Sequence, residues 1–499
     1  MQSEIVPFYQ NKTVLVTGAT GFLGKVITEK LLRSTDVKRI YCLMRPKRGE
    51  NIEGRFTAWK NNKIFEVLLK CKPRALEIVK PIAGDCCAPG LGLAEADRRT
   101  LLTEVQVVFH GAASISFVEP LHKALIINTR AVRLMVQLAR EMRCLESFVH
   151  ISTTYSNCVV DTIYERFYPE HLSCPADKLL ELNETLSAGL IDKMSNVFLG
   201  KYPNTYTFTK ALGEQVIQEE ASDLPIGIFR PAIIMNSYKE PSPGWIEGMQ
   251  GYIGVMYGIA YGILRLMRAN MKTVFPGVPV DYCANVALAT GWQLAKKEHT
   301  DQAQSKVPPI YALSVSQSNS IPVAEAIATS FNRHTETPNT KMIWYPLFHC
   351  TTCPWLYSVG IYLYHLIPAF FMDLALRLRG EKPIMLNIYK KSHENLSIFT
   401  PFTSKNFNFD STNTQQLWRF MTSEDKQIFA FDMENLNWQE FFKVIMDGIR
   451  LHMFKIPLTE ESIATGKRML SRYYVMHLFL TFGIVLVLGT LSWFLIKIF

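Results

Sequence analysis

The sequence predicts an α/β fold in which a doubly wound parallel sheet is followed by a mostly helical C-terminal domain and a C-terminal transmembrane helix. Short apolar runs alternate with amphipathic runs through residues 1–315, which is the pattern of repeated β-α-β units. Residues 345–470 lack glycine-rich turns and carry apolar residues at mostly helical spacing. Residues 473–496 contain no Asp, Glu, Lys or Arg, and these 24 residues are enough to cross a bilayer.

Seven runs in the first domain have the composition of buried strands. Amphipathic stretches such as Pro120–Met142 and Thr209–Glu220 separate most of them. Strands that alternate with helices pair in parallel, so we expect one sheet covered on both faces, with ligands at the carboxyl ends of its strands. The predicted strands are Thr13–Thr17, Arg39–Met44, Glu77–Ala83, Val105–His110, Ser147–Ile151, Ile226–Arg230 and Ile310–Leu313.

The first predicted strand leads into a glycine-rich turn with GxxGxxG spacing, after which an amphipathic run begins at once. Glycines at such a turn let the backbone approach a pyrophosphate, and the helix N-terminus supplies free N–H groups and a partial positive charge. A plain strand–turn–helix is the alternative, but the position straight after an N-terminal strand favours a Rossmann-type dinucleotide site. Its candidate residues are Thr17, Gly18, Thr20, Gly21, Phe22, Leu23 and Gly24.

Basic residues rather than an acidic one follow the second predicted strand, at Arg45, Lys47 and Arg48. An acidic residue there would hold the ribose 2′-hydroxyl of NAD, whereas Arg or Lys accommodates a 2′-phosphate. An ordinary solvated loop would look the same in isolation. Beside the glycine turn, the cluster favours NADP over NAD, with Arg45 and Arg48 as candidate cofactor-binding residues.

Tyr206 and Lys210 have the spacing of neighbours on one face of a helix. A nearby ammonium favours the phenolate, so we expect Lys210 to lower the pKa of Tyr206 and make it a usable proton donor. Ser152 and Thr153 follow the predicted strand that ends at Ile151. Hydroxyls at the carboxyl end of a central strand face the ligand cleft, where one could stabilise an oxyanion, although such residues also cap turns.

Composition narrows the class of partner. The formal net charge is +9, which suits anionic ligands, but the chain has no block of basic residues and no nucleic-acid motif, so we expect no nucleic-acid partner. The ten cysteines form no disulfide framework, which favours a reducing compartment. His349, Cys350 and Cys353 form a single CxxC-like group without a partner pair, so we assign no metal.

Two apolar regions point to a lipid membrane. Lys467, Arg468 and Arg472 precede residues 473–496, so the positive-inside tendency predicts a single-pass C-terminal anchor with a cytosolic catalytic domain. A buried core helix is the alternative. The second region contains the apolar segment 354–372, interrupted by Pro368 and tyrosines. We interpret it as an interfacial or re-entrant segment, or the wall of a lipid-binding tunnel, rather than a span.

Taken together, these motifs resemble the extended short-chain dehydrogenase/reductase family and, more narrowly, the eukaryotic fatty acyl-CoA reductases. The C-terminal part is similar to the male-sterility-type domain of these reductases, at His365–Phe370, Arg379–Pro383 and Phe431-Asp432. The other matching segments are Thr17–Lys25, Gly84-Asp85, His110–Phe117, His150–Tyr155, Pro203–Glu214, Phe229–Pro231 and Pro243–Ile246.

The resemblance implies an NADPH-dependent reduction of long-chain acyl-CoA to a primary fatty alcohol, through an aldehyde and with release of coenzyme A. It implies Tyr206 as general acid, Lys210 as the residue that binds the nicotinamide ribose and tunes Tyr206, and Thr153 or Ser152 as the group that polarises the carbonyl. It also implies that Asp85 contacts the adenine and that Asn128 holds the active-site water and helix. Further residues that would line the cofactor are Ala112, Ala113 and Pro231.

Two alternatives remain at this point. One is a membrane-bound sterol or sugar-nucleotide dehydrogenase or epimerase of the same superfamily, which shares the glycine turn and the Tyr/Lys pair but does not explain the C-terminal region. The other is a non-catalytic NADP-binding membrane scaffold, against which the intact Thr153, Tyr206 and Lys210 argue. Residues Lys497–Phe499 are not a peroxisomal tripeptide, which favours the endoplasmic reticulum over the peroxisome. The sequence carries no signal for the oligomeric state.

Overall fold

A computed structural model describes residues 2–46, 49–249, 251–298 and 307–498. Seven strands form the main sheet, and in chain order they are β1 (Thr13–Thr17), β2 (Arg39–Met44), β3 (Val79–Ala83), β4 (Val107–His110), β5 (Ser147–Ile151), β6 (Ile226–Pro231) and β7 (Ile310–Leu313). They are all parallel, and their order across the sheet is β7-β6-β5-β4-β1-β2-β3.

The strand order confirms the predicted doubly wound sheet. The chain runs outward from β1 to β3, returns to the centre at β4 and then runs the other way to β7. The direction of winding reverses between β1 and β4, and ligands of such sheets bind at this reversal, at the carboxyl ends of the strands. The central strands are continuous apolar runs because helices cover both faces, and Val107, Val108 and Phe109 are fully buried.

The predicted strand ends differ from the observed ones by at most two residues. The strand predicted from Glu77 begins at Val79, because Ala75–Ile78 form a 3₁₀ turn. The strand predicted from Val105 begins at Val107, because Val105 caps the preceding helix Glu95–Glu104. These shifts are the usual scatter at element ends, where local hydrogen bonds compete with the sheet.

The described residues divide into two compact units, each made of several chain segments. The first unit comprises Met1–Trp245, Pro276–Ser320 and Phe407–Leu436. Its helices of at least five residues are Ile5–Tyr9, Phe22–Ser34, Ile52–Lys60, Glu66–Cys71, Glu95–Glu104, Leu121–Leu125, Ala131–Glu141, Ala176–Thr185, Ala188–Lys193, Ser195–Leu199, Thr205–Glu220, Val280–Glu298, Thr412–Phe420 and Ser423–Ile428.

The second unit comprises Ile246–Phe275, Ile321–Asn406 and Asn437–Phe499. It is mostly helical, as the sequence predicts, and two short parallel strands, Leu266–Arg268 and His349–Thr351, pair within it. Its helices are Gly251–Tyr261, Val323–Glu336, Pro354–Ile361, Ile367–Leu378, Met385–Thr403, Trp438–Gly448 and Glu460–Ile498.

The units differ from the predicted ranges 1–315 and 345–470, because residues 246–275 belong to the second unit and the late segment 407–436 returns to the first. Within that segment, Asn408–Phe409 pairs in parallel with Thr162–Ile163. The Glu165 carboxylate accepts hydrogen bonds from the backbone N–H of Ala312 at 2.7 Å and of Asn413 at 2.5 Å. These polar contacts between distant residues have no periodic signature in the sequence.

Among the residues that the structure describes, Pro354–Leu378 is the one helix of sufficient length and apolar composition to cross a membrane, with 25 residues. A π-helical turn at Tyr362–Leu366 joins its two parts. The anchor predicted over 473–496 lies inside the continuous helix Glu460–Ile498, and the side chains of several of its residues lie outside the described set.

Candidate active site

The turn after β1 is shaped to leave room beside its backbone. Gly18 has a φ of +72°, which disfavours any residue with a side chain, and a Cβ built there would lie 2.7 Å from the carbonyl carbon of Gly111. Gly21 caps the helix Phe22–Ser34, and its N–H donates to the carbonyl of Gly18 at 2.9 Å. The free N–H groups of this helix start face the carboxyl edge of the sheet, so the turn fits the pyrophosphate of a dinucleotide.

The other residues predicted to bind the cofactor at this turn are either buried or partly accessible to solvent. The Thr17 hydroxyl is within 2.7 Å of His110 Nδ1 and accepts from the Ala112 N–H at 3.2 Å, so Thr17 braces β1 against the loop after β4. Phe22 stacks on Trp245 with ring centroids 5.1 Å apart. The half-buried residues of the turn are Gly18, Thr20, Phe22, Leu23 and Gly24, and those of the facing loop include Ala112 and Ala113.

The residues predicted to recognise the adenosine half follow β2 and β3. Arg45 directly follows β2 and is exposed, and Arg48 lies outside the described residues. Asp85 follows β3, and its carboxylate accepts from the Cys87 N–H at 2.9 Å, so it also fixes its own turn. Arg45 and Asp85 thus stand at the carboxyl edge of the sheet, where an adenosine would lie.

Lys210 lies on the helix Thr205–Glu220, whose first turn is capped by the Asn204 side chain. Its ammonium donates to the carbonyl of Ile151 at the end of β5, at 2.8 Å, and the residue is 3% exposed. Burial lowers the pKa of Lys210 to about 8, and the nearby Glu214 carboxylate opposes that shift. The Lys210 ammonium therefore links the helix Thr205–Glu220 to the end of β5, and its lowered pKa is close to physiological pH.

Tyr206 differs from the expectation that Lys210 would lower its pKa. Burial raises the pKa of Tyr206 to about 12, and a hydrogen bond with Thr153 partly opposes this. Desolvation of the phenol is the larger of these two effects, so it decides the direction of the shift. The ring of Phe117 stacks on Tyr206 at 5.5 Å. Tyr206 thus keeps its proton at neutral pH and can give it away.

Thr153, rather than Ser152, stands beside Tyr206. The Thr153 hydroxyl hydrogen-bonds with the phenol, and it donates a long hydrogen bond of 3.4 Å to the carbonyl oxygen of Pro231. The Ser152 hydroxyl instead donates to Glu214 at 2.5 Å, which engages its one proton. Of the two predicted candidates, Thr153 has the geometry to contact a carbonyl oxygen, and Ser152 has a supporting position.

A buried ion pair behind these residues was not among the predicted site residues. Glu214 and Arg230 form two hydrogen bonds, at 2.6 and 2.9 Å, and both are almost fully buried. Glu214 also accepts from Ser156 at 2.9 Å and Asn157 at 3.3 Å. Its position four residues after Lys210, on the same helix face, was a signal in the sequence, but the partner strand could not be read from spacing.

Asn128 connects the loop after β4 to the helix that carries Tyr206. It lies in a π-helical turn at Ile126–Arg130. Its amide donates to the carbonyl of Ser114 at 3.1 Å and to the Thr209 hydroxyl at 3.0 Å, and its oxygen accepts from the Ser114 N–H at 2.8 Å. All these bonds are internal, so in this structure Asn128 fixes the distance between two walls of the site.

The histidines around the site are unsuited to proton transfer. Burial lowers the pKa of His110 to about 3, with a further contribution from the Lys210 charge. The pKa of His150 is also held well below its ordinary value by burial. Both imidazoles are therefore neutral at physiological pH. The Tyr206 phenol is then the side chain at the carboxyl end of β5 that is suited to act as a general acid. Within the ranges that the structure covers, no three His, Cys, Asp or Glu side chains come together as a metal site.

Comparisons with known proteins agree with this geometry. Two family models, both described as male sterility protein, match residues 16–287 and 364–456. The chain is 37% identical over 454 residues to the Drosophila melanogaster protein named fatty acyl-CoA reductase wat, covering 91% of this chain and 86% of the relative. It is 35% identical to fatty acyl-CoA reductase 1 of Xenopus laevis, covering 92% and 87% of the two chains.

Solved structures show the fold alone, because their sequence identity is low. The terminal R domain from the myxalamid PKS-NRPS biosynthetic pathway has a TM-score of 0.58 at 17% identity and covers 90% of this chain and 93% of its own. The reductase domain of a nonribosomal peptide synthetase from Mycobacterium tuberculosis has a TM-score of 0.56 at 18% identity, covering 90% and 96%.

The second family model covers the region that a sterol or sugar-nucleotide dehydrogenase leaves unexplained, so that alternative is not favoured. The glycine turn and the nucleotide-binding family model together identify a domain that binds a nicotinamide cofactor. From the two matching models and from relatives above 30% identity over nine-tenths of its length, the chain belongs to the fatty acyl-CoA reductase family.

Proposed function

We propose that this protein reduces long-chain fatty acyl-CoA to a primary fatty alcohol with NADPH, through an aldehyde, and releases coenzyme A. One observation carries the proposal. The Tyr206 phenol, the Thr153 hydroxyl and the Lys210 ammonium lie at the carboxyl end of β5, at the same sheet edge as the glycine turn. A carbonyl oxygen placed there meets two hydroxyl donors.

A bound nicotinamide supplies a hydride to the carbonyl carbon. As negative charge develops on the substrate oxygen, Tyr206 and Thr153 donate hydrogen bonds to it, each contributing about 3–4 kcal/mol by analogy with oxyanion holes. Tyr206 then transfers its proton to that oxygen, which yields a hemithioacetal from a thioester. The hemithioacetal breaks its C–S bond to give an aldehyde and coenzyme A, the thiolate taking up the hydroxyl proton.

The same residues serve a second reduction of the aldehyde. Once Tyr206 has regained a proton from solvent, it can protonate the aldehyde oxygen while a second NADPH would supply hydride to the carbonyl carbon, so the alcohol requires two NADPH and two protons in total. Lys210 holds a positive charge beside the site and fits the hydroxyls of the nicotinamide ribose. No cysteine is needed as a nucleophile. The cysteine that directly follows the end of β5 and its 3₁₀ turn, Cys158, is buried.

NADPH rather than NADH is proposed from the end of β2. Arg45 stands there exposed directly after the strand, whereas the first acidic residue after it, Glu50, lies at the far end of the loop beside the helix Ile52–Lys60. The proposed cofactor-binding set is Thr17, Gly18, Thr20, Gly21, Phe22, Leu23, Gly24, Arg45, Arg48, Asp85, Ala112, Ala113, Asn128, Tyr206, Lys210 and Pro231. In this set Asn128 and Thr17 act by positioning, since their polar atoms are engaged internally.

For localisation, we propose a single-pass C-terminal anchor over 473–496, with the catalytic domain in the cytosol and the endoplasmic reticulum as the membrane. The continuous helix Glu460–Ile498 supports the anchor. Apolar side chains such as Val475, Phe479 and Phe482 are exposed on it, which lipid would cover. The fatty alcohol partitions into the same membrane.

The function is tested with the full chain in membranes, NADPH and a panel of saturated acyl-CoA substrates of increasing chain length. We expect fatty alcohol, with two NADPH oxidised for each coenzyme A released. Aldehyde as the final product would remove the second reduction from the proposal. If NADPH binds but coenzyme A is released from none of the substrates, the proposed function is overturned and a non-catalytic NADP-binding membrane scaffold is favoured instead.

A further inference from the structure

The helix Pro354–Leu378 has its polar side turned toward the protein. Its buried residues are Gly360, His365, Ala369 and Asp373. The first interval in this series is five residues and the others are four, and the π-helical turn at Tyr362–Leu366 accommodates the longer step. This stripe contains the helix's histidine and its aspartate, which is the reverse of an ordinary surface helix.

Specific contacts hold the polar stripe in place within the second unit. The His365 ring stacks on Tyr389 at 4.7 Å, and its Nε2 accepts from the Arg265 N–H at 3.1 Å. The Asp373 carboxylate accepts from the N–H groups of Ile384, Met385 and Leu386 and so caps the helix Met385–Thr403. These satisfied contacts fix which face of Pro354–Leu378 points outward.

Apart from Ser358 and Arg377, the exposed residues of this helix are apolar or aromatic along its whole length. Trp355 is 69% exposed, Phe371 is 61% exposed and Leu378 is 81% exposed. Such a continuous apolar surface marks a contact with lipid or protein. The other large apolar side chains exposed on it include Tyr362, Leu363 and Phe370.

Charge indicates lipid as the occupant of this face. Arg377, Arg379 and Lys382 are exposed at the end of the helix, with Glu381 as the one acidic residue among them. An apolar face beside a cluster of cations is the pattern of helices that lie on anionic membranes. The neighbouring helix Met385–Thr403 exposes Lys390, Lys391 and Glu394, whose charges would be costly in hydrocarbon, so the pair is unsuited to span a bilayer.

Aromatic residues near the start of the predicted anchor also favour a membrane as the occupant of the outward face of Pro354–Leu378. The rings of Trp344 and Tyr473 lie 6.1 Å apart, and those of Tyr345 and Tyr474 lie 5.1 Å apart, at the start of the apolar run 473–496 of the C-terminal helix. Tyr and Trp prefer the water–lipid interface. His349 lies four residues after Tyr345, and its ring centroid is 5.4 Å from that of Tyr364 in the helix Pro354–Leu378. That helix and the C-terminal helix therefore both have aromatic contacts with the segment 344–349.

We propose that Pro354–Leu378 lies in the plane of an anionic membrane surface, with its outward face in lipid and Arg377, Arg379 and Lys382 at the headgroups. The enzyme then contacts the membrane at two places, and this second contact holds the second unit against the bilayer in a fixed orientation. The inference rests on the membrane association proposed above, but its test reports on the two contacts separately.

The test uses the full chain in sealed vesicles of phosphatidylcholine and phosphatidylserine that carry a phospholipid with a photoreactive acyl chain. Adducts are mapped to peptides by mass spectrometry, and a membrane-impermeant amine reagent probes Lys272, which precedes this helix and is exposed, together with Lys390 and Lys391, which follow it. We expect adducts on Trp355–Leu378 and modification of all three lysines from one side of the membrane. Modification of Lys272 but protection of both Lys390 and Lys391, or the reverse, would indicate a span and overturn the proposal.

The variant Phe371→Glu places a charge on the outward face, and we expect loss of the adducts on this helix with unchanged NADPH oxidation in detergent. The matched control is Phe420→Glu, because Phe420 is 72% exposed at the end of a helix in the first unit. It should leave the adducts unchanged. Cross-links between two copies through this helix, without lipid adducts, would assign the face to a second copy and overturn the proposal. Adducts on the C-terminal helix alone would support the anchor and overturn this second contact.

Discussion

Burial raises the pKa of Tyr206 and lowers the pKa of Lys210, so in both cases it favours the uncharged form of the group. The phenol is held protonated, with a pKa of about 12, and the ammonium is brought to a pKa of about 8. A reductase needs a proton donor that is still protonated when the oxyanion forms, and it needs a cation near that oxyanion. The first requirement is met over the whole physiological range, whereas the second depends on pH.

The first prediction concerns Tyr206→Phe. The variant keeps the ring that stacks against Phe117 and removes the phenolic proton, so it should fold and bind NADPH as the parent protein does. Turnover should fall by about 10²–10⁴-fold, the usual contribution of a general acid. Measuring kcat with acyl-CoA, with NADPH affinity as the control for folding, checks this. Turnover within a few-fold of the parent would remove Tyr206 from the mechanism.

A second prediction separates the two hydroxyls at the end of β5. Thr153→Val should lower kcat by about 10²–10³-fold, because it removes a donor from the developing oxyanion. Ser152→Ala should keep most of kcat but lower the free energy of unfolding by about 1–3 kcal/mol, because Glu214 loses a buried hydrogen bond. Steady-state kinetics and denaturant unfolding of the pair decide it, and the reverse pattern would assign the carbonyl contact to Ser152.

The third prediction follows from the lowered pKa of Lys210. The ammonium is charged below a pH of about 8 and neutral above it, so turnover should fall as pH rises through that value. Lys210→Arg keeps its charge at every accessible pH, so the fall should move to higher pH or disappear. If that variant turns over too slowly, NADPH affinity across the same pH range is the readout. An unchanged pH profile would show that another group titrates.

At the scale of elements, the site depends on where strands and helices end. The glycine turn, the tip of β2 and the end of β5 belong to different strands, and parallel pairing brings their carboxyl ends to one edge. The π-helical turn that holds Asn128 and the helix Thr205–Glu220 then set the width of the cleft. Element ends are therefore the places where substitutions change cofactor choice.

The fourth prediction belongs to the tip of β2. Arg45→Glu should weaken NADPH binding far more than NADH binding, because a carboxylate repels the 2′-phosphate and can accept a bond from a free 2′-hydroxyl. Arg99→Glu is the matched control, since Arg99 is an exposed arginine on the helix Glu95–Glu104. Dissociation constants of both cofactors for both variants measure the effect. Equal losses for NADPH and NADH would contradict the role of Arg45.

At the scale of the whole molecule, the two compact units are not consecutive stretches of chain. Each is assembled from three segments, and residues 407–436 complete the first unit late in the sequence. The Asn413 amide donates to the carbonyl of Ile310 in β7 at 2.8 Å, which ties this late segment to the edge of the sheet. Cutting the chain at the apparent end of the nucleotide-binding region would therefore remove the Asn413 contact to the edge strand β7 and one of the two backbone N–H donors to the Glu165 carboxylate.

The sequence by itself determined the doubly wound sheet and the glycine turn, and it predicted Tyr206, Lys210 and either Thr153 or Ser152 as site residues, because these depend on period, spacing and residue type over short stretches. The tertiary structure decided that Ser152 binds Glu214, that Glu214 pairs with Arg230, that burial raises the pKa of Tyr206, and that residues 407–436 join the first unit. Each of these depends on burial or on contacts between segments far apart in the chain, and local pattern carries no information about either.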